Sequence, residues 1–187
     1  MKTFTLRLSR FVVCAILALG AGVVLRTGAE AQAPAVIEPE TLGVVYLRDP
    51  GSGALLSLDR EVSHVKASPG FFKAKAKLRV NGPAAKMRIK PTQKMEFIVQ
   101  LANGVDPNKI KLYKLDVNGG KRETVILTVV AFSGAKAELK TLTLDVTKHG
   151  QSSYKLTPAQ QLLPGEYVLV ATDSTDAFCF GVEAMVP

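Results

Sequence analysis

The sequence predicts an all-β protein, an antiparallel β-sandwich with an N-terminal β-hairpin. Three observations carry this. Apolar residues alternate with polar ones along many short segments, no segment sustains a 3.6-residue period, and turn signals separate the segments at short intervals. Strands such as "TVILTVVAF" and "EYVLVAT" are apolar on both faces, as central strands are.

The chain opens "MKTFTLRLSRFVVCAILALGAGVVLRTGAEAQAP". Lys2, Arg7 and Arg10 precede an apolar run from Phe11 to Leu25, short for a membrane span. Ala31 and Ala33 stand where a signal peptidase reads small residues. We expect residues 1–33 to be a signal peptide cleaved after Ala33, and the protein to be exported to the periplasm or beyond the cell. Cys14 sits inside the apolar run without lipobox spacing, which argues against a lipoprotein. Without Lys2, Arg7, Arg10, Arg26 and Glu30, 20 Lys and Arg face 15 Asp and Glu, a net of +5. One cysteine then remains, Cys179, so no internal disulfide forms, and about 150 residues must build a core that is stable without one.

Residues 34–41, "APAVIEPE", read as an extended Pro-rich linker. Residues 42–66 read as an N-terminal hairpin segment, with "DPGSG" turning the chain between two apolar runs and Val45 and Leu47 sharing a face. Residues 67–187 are assigned to the sandwich. There "GFFKAKAKLRV" alternates strictly: Phe72, Ala74, Ala76, Leu78 and Val80 face one way, and Lys73, Lys75, Lys77 and Arg79 the other. After "NGPA", "AKMRIK" repeats the pattern with Lys86, Arg88 and Lys90 outward. The segments "MEFIVQLAN", "IKLYKLDV", "RETVILTVVAF", "TLTLDVT", "SSYKLT", "EYVLVAT" and "AFCFGVE" follow. Turn signals such as "NGVDPN", "NGG", "KHGQ" and "DSTD" separate them.

Near the C-terminus, "LLPGEYVLV" sets Tyr167 at the start of a strand after a Pro-Gly turn. This is the setting of a tyrosine corner, in which the phenol bonds back to upstream backbone. With the hairpin that follows and "FCFGV", the segment resembles the end of immunoglobulin-like or transthyretin-like bacterial sandwiches, more specifically secreted bacterial proteins carrying this "LPGEY"…"FCFGV" pattern. The resemblance covers the last ~35 residues by strand pattern and implies an immunoglobulin-like β-sandwich and an export route, and no activity. The chain departs from antibody domains in lacking Trp, and Leu169 stands where their second cysteine would be.

Few residues point to chemistry. Cys179 alternates with Phe178 and Phe180 in a strand, has no His near it in sequence to stabilise a thiolate, and is read as a buried packing residue. His64 and His149 have no partner at ligand spacing, so neither a metal nor a cofactor is expected. "GSG" at 51–53 is a turn, not a strand–Ser–helix elbow, and Asp173 and Asp176 of "DSTD" are read as turn-capping residues.

Charge is more informative. Between Glu61 and Glu96 there are nine cations and no acid. If 71–80 paired with 85–90 as a hairpin, Arg79 would face Lys86, Lys77 would face Arg88 and Lys75 would face Lys90. Such like-charge pairs are destabilising, and a bound polyanion would relieve them. The plainer reading is a solvated lysine row that guards a sheet edge against aggregation. The expectation is therefore a non-enzymatic binding module of the cell envelope, using Lys73, Lys75, Lys77, Arg79, Lys86, Arg88 and Lys90 for an acidic polysaccharide, anionic lipid headgroups or an acidic protein. Nucleic acid is disfavoured because no aromatic residues interleave with these cations. The alternatives are an envelope hydrolase whose carboxylates meet only in the fold, and a purely structural envelope protein.

Overall fold

The computed structural model describes residues 36–185 apart from 71–72, 92, 131–133 and 137–140. The expected signal peptide and its cleavage point lie outside the described residues. Those described form fourteen strands and one 3-10 turn, Pro107–Lys109, with no α-helix. In chain order the strands are β1 Val45–Arg48, β2 Leu55–Ser57, β3 Asp59–Ser68, β4 Lys73–Asn81, β5 Arg88–Ile89, β6 Phe97–Gln100 and β7 Ile110–Asn118. They continue with β8 Lys121–Val130, β9 Gly134–Lys136, β10 Thr141–Leu142, β11 Leu144–His149, β12 Ser153–Pro158, β13 Gly165–Ala171 and β14 Asp176–Val182.

The β1–β2 hairpin forms around "DPGSG", where Asp49 accepts hydrogen bonds from Gly51 N and Ser52 Oγ. It joins a five-stranded antiparallel sheet in the order β11-β12-β6-β1-β2. The second sheet closes on itself. β7 pairs with β13 through its first half and with β8 through its last three residues, completing a six-stranded barrel in the order β7-β13-β14-β3-β4-β8. Two local devices permit closure. Gly119 and Gly120 make the two-residue β7–β8 turn with φ of 54° and 75°, the pair of positive values that a tight hairpin of this kind requires. A β-bulge between β4 and β8, at Ala76/Lys77, adds local twist.

Two cores result. The five-stranded sheet packs on the outer wall of β7, β13 and β14 through Val45, Leu47, Phe97, Val99, Leu112, Leu169, Phe178 and Phe180. The barrel interior holds Leu78, Val80, Tyr113, Leu115, Val168, Val170, Ala177 and Cys179. Alternation on each strand sends one set of side chains to each core, so the all-apolar β13 and β14 serve both. The outer wall of β3, β4 and β8 carries the lysine row.

The layered all-β class agrees with the sequence reading, whereas the second layer is a closed barrel rather than an open sandwich sheet. The periodicity of two specifies faces; it does not specify whether the last strand returns to the first. Nor does a boundary fall after residue 66, because β3 runs through it and forms part of the barrel, and residues 35–187 make one unit. The linker is anchored from Glu38 onward. Hydrogen bonds from Ser153 Oγ, Gln151 N and Ser152 N hold the Glu38 carboxyl down at about 2.

Tyr167 lies in the interlayer core, stacked on Phe180 with ring centroids 5.5 Å apart, and its hydroxyl donates to Leu163 O at 2.6 Å. This bond ties the 159–164 connection to β13. Tyr167→Phe should keep the fold and lower stability by about 0.5–1.5 kcal/mol, the net worth of the hydrogen bond that is lost. A urea midpoint equal to that of the wild type would show that the bond does not hold the connection.

Candidate functional site

The barrel has two different ends, and the lysine wall lies between them. One end is plugged. Arg122 on β8 stands opposite Val80 of β4 and Val117 of β7, so parity turns its side chain into the barrel, where it is 1% exposed. Its Nε donates to Gly82 O at 3.1 Å, and its Nη2 to Asn81 O at 2.8 Å and to Glu61 Oε1 at 2.6 Å. Nη1 is 3.7 Å from Glu166 Oε2 and has no hydrogen-bond partner among the described residues. Glu166 accepts from Ala85 N at 2.8 Å and from Arg88 Nη1. Asp59 accepts from Lys86 N and Met87 N.

Segment 81–88 is thus drawn across the barrel end by one buried cation and two carboxylates that hold its backbone. β5 then runs parallel to β14, with Gly181 N donating to Met87 O at 2.9 Å. A Cβ on Gly181 would overlap the Arg88 guanidinium, so a larger residue there would displace that arginine tip.

Cys179 lines the same interior. It is fully buried between Val168 and Asp59 in the register. Burial pushes the thiol up to about 12, and the Arg122 cation only partly offsets this. The cationic neighbour was invisible in sequence, 57 residues away; the available signal was an arginine at a β8 position whose parity points inward.

The predicted basic hairpin does not form. β4 pairs with β3 and β8, while β5 pairs with β14, so Lys75, Lys77 and Arg79 are not opposite Lys90, Arg88 and Lys86. Residues 81–88 carry the backbone groups that Arg122, Glu166 and Asp59 satisfy, and those bonds redirect the chain into the plug. Lys86 and Lys90 are exposed beside the plug, and Arg88 is bound to Glu166. Lys73 begins β4, and its side chain lies outside the described set.

On the outer wall, Lys77 Nζ and Arg79 Nε contact the two oxygens of Glu123 at 2.5 and 2.6 Å. The Lys77 ammonium first, and Arg79 with it, keep that carboxyl below the usual carboxylate range. Lys66 of β3 stands directly opposite Lys77, His64 opposite Arg79 and Ser68 opposite Lys75. Lys66, Lys75 and His64 are exposed.

The other barrel end is an open cavity of about 310 Å³ reaching Leu78, Tyr113, Ile126 and Val170. Asp173 and Asp176 at its turn contact different cations, Lys109 and Arg60, and His149 meets Ile37 O at 3.2 Å. Among the described residues no three His, Cys, Asp or Glu side chains gather as metal ligands would.

Arg122→Met should lower stability by about 3–5 kcal/mol, because Glu61 and two loop carbonyls lose their buried partner. A loss below about 1 kcal/mol in urea unfolding would show that the plug does not depend on the guanidinium. Cys179 should resist a thiol reagent in the native protein and react after unfolding. Fast native labelling would place the thiol in contact with solvent. No family model, curated protein or solved structure compared with the chain matches it, so its functional reading rests on this geometry alone.

Proposed function

We propose that the protein is an exported, non-enzymatic binding module of the cell envelope that holds an acidic polysaccharide on the outer wall of β3 and β4. The supporting observation is the position of β4. It is paired along both sides, by β3 and β8, so it has no free edge for its lysines to guard. Edge protection therefore does not account for Lys75, Lys77 and Arg79. The wall carries Lys66, Lys75, Lys77 and Arg79 against Glu123 and, opposite it on β7, Asp116, with like charges directly opposed at Lys66 and Lys77. A polyanion laid along the strands relieves that repulsion and releases its counterions.

The hydrolase alternative needs free carboxylates in a cleft. Asp59, Glu61 and Glu166 approach one another at the plugged end, but each is bonded to the plug or to Arg122. The two-layer packing and the Tyr167 bond support an architectural kinship with immunoglobulin-like secreted sandwiches, one layer of which has closed. Among the described residues no helix is long and apolar enough to cross a membrane.

Retention on heparin and on an acidic polysaccharide tests the proposal. Lys66→Glu with Lys75→Glu should elute at lower salt than the wild type, because both side chains are exposed and neither holds Glu123. Lys86→Glu with Lys90→Glu makes the same change in net charge beside the plug and should elute with the wild type. Retention should fade as salt brings the Debye length below about 10 Å. Equal elution of the two variants would reduce the effect to net charge and sink the proposal. Retention on anionic vesicles alone would replace the polysaccharide with a lipid surface.

A further inference from the structure

We propose that the open barrel mouth binds a small amphiphilic monocarboxylate, an apolar body with one carboxylate head, of the size of a medium-chain fatty acid. The cavity of about 310 Å³ is at the lower end of the range for small-ligand sites. It lies among β3, β4, β7, β8 and β13 and the turn before β14.

Its walls are apolar. Leu78, Ile126 and Val170 face in, and Val65, on the interior side of β3, is left 63% exposed at the rim. Ile126 is the extra residue of the β4–β8 bulge and keeps the inward parity of Arg122 and Thr124.

The polar groups converge from one strand. Lys111 and Tyr113 are two apart on β7 and so share a face, and both line the cavity. Tyr113 is 7% exposed, and among the described residues its hydroxyl has no protein hydrogen-bond partner; Lys111 makes no ion-pair contact there, although its charge is felt by Asp106. Partial burial raises the Tyr113 phenol, so it keeps its proton as a donor. Of the hydroxyls at the rim, Ser63 donates to Thr175 O and Thr172 to Lys109 O, Ser174 accepts from Asp176 N, and that of Thr175 has no partner among the described residues. No carboxylate lines the cavity. One cation beside neutral hydroxyls, on a largely apolar wall, selects a ligand whose single polar end is an anionic acceptor.

Isothermal titration of the full chain with decanoate and with decanol, both below micellar concentration, tests this. Decanoate should bind at least about tenfold more tightly than decanol, as a charge-assisted contact implies. Lys111→Met should bring decanoate to the level of decanol and leave decanol unchanged. Tyr113→Phe should weaken decanoate severalfold, and Ile126→Trp, which fills the mouth, should remove both. Lys66→Glu with Lys75→Glu should change neither, so failure on the outer wall and failure here are distinguishable. Should Ile126→Trp not fold, Lys111→Met still decides. Absence of decanoate binding at millimolar concentration, equal binding of the alcohol, or indifference to Lys111→Met would overturn the proposal.

Discussion

The buried Arg122 guanidinium is the constraint on which the barrel's closed end depends. Desolvating a cation is costly, and the attraction of nearby carboxylates repays it only when hydrogen bonds also satisfy the group. Arg122 has Glu61, two loop carbonyls and, at longer range, Glu166. Each of these partners is fixed by something else. Glu61 is held by strand pairing with β14, Glu166 by Arg88 and Ala85 N, and the carbonyls belong to the segment that leaves β4. The position of 81–88 therefore follows from Arg122, and the alignment of β5 along β14 follows from 81–88. Cys179 is part of the same environment. Its thiol stays protonated because burial outweighs the adjacent cation, and a charged thiolate would sit among Glu61 and Asp59.

Much of the fold was legible because strand parity is local. Val45 and Leu47, Leu78 and Val80, and the outward Lys75 and Lys77 fall on the faces their alternation predicts. The turns at "DPGSG" and "NGG" also lie where Gly and Pro place them. Pairing partners were not legible. The "NGPA" signal suggested a return of the chain onto β4, yet the backbone donors of 85–87 are claimed by Glu166 and Asp59, from strands far away in sequence. No period of two reports such a contact. Arg122 and Glu166 were hidden for the same reason: each is an isolated charge in a strand, and only the register shows that they face one another inside a barrel.

Closure also separates the two walls. The β7, β13 and β14 wall must be apolar because the five-stranded sheet covers it, and Phe178, Phe180 and Leu169 meet that requirement. Among the described residues the β3, β4 and β8 wall has no such cover. Its outward positions hold Lys66, Lys75, Lys77 and Arg79, together with Val62, which is exposed. Any solvated wall needs polar side chains, but it does not need cations to outnumber carboxylates as they do here. Mixed charge gives the same wetting without repulsion.

Glu123 shows how that repulsion is partly relieved within the fold. One carboxylate takes both Lys77 and Arg79, and its low pKa records that attraction. The two inner cations are thereby held in place, at 29% and 26% side-chain exposure, while Lys66 and Lys75 are left to solvent. An incoming polyanion meets Lys66 and Lys75 first. To engage Lys77 and Arg79 it must compete with a carboxylate already in contact with both. The wall thus has an outer pair of cations that governs encounter and an inner pair whose availability Glu123 governs. Affinity for an anion should therefore depend on the outer lysines more steeply than a uniform row of cations would suggest.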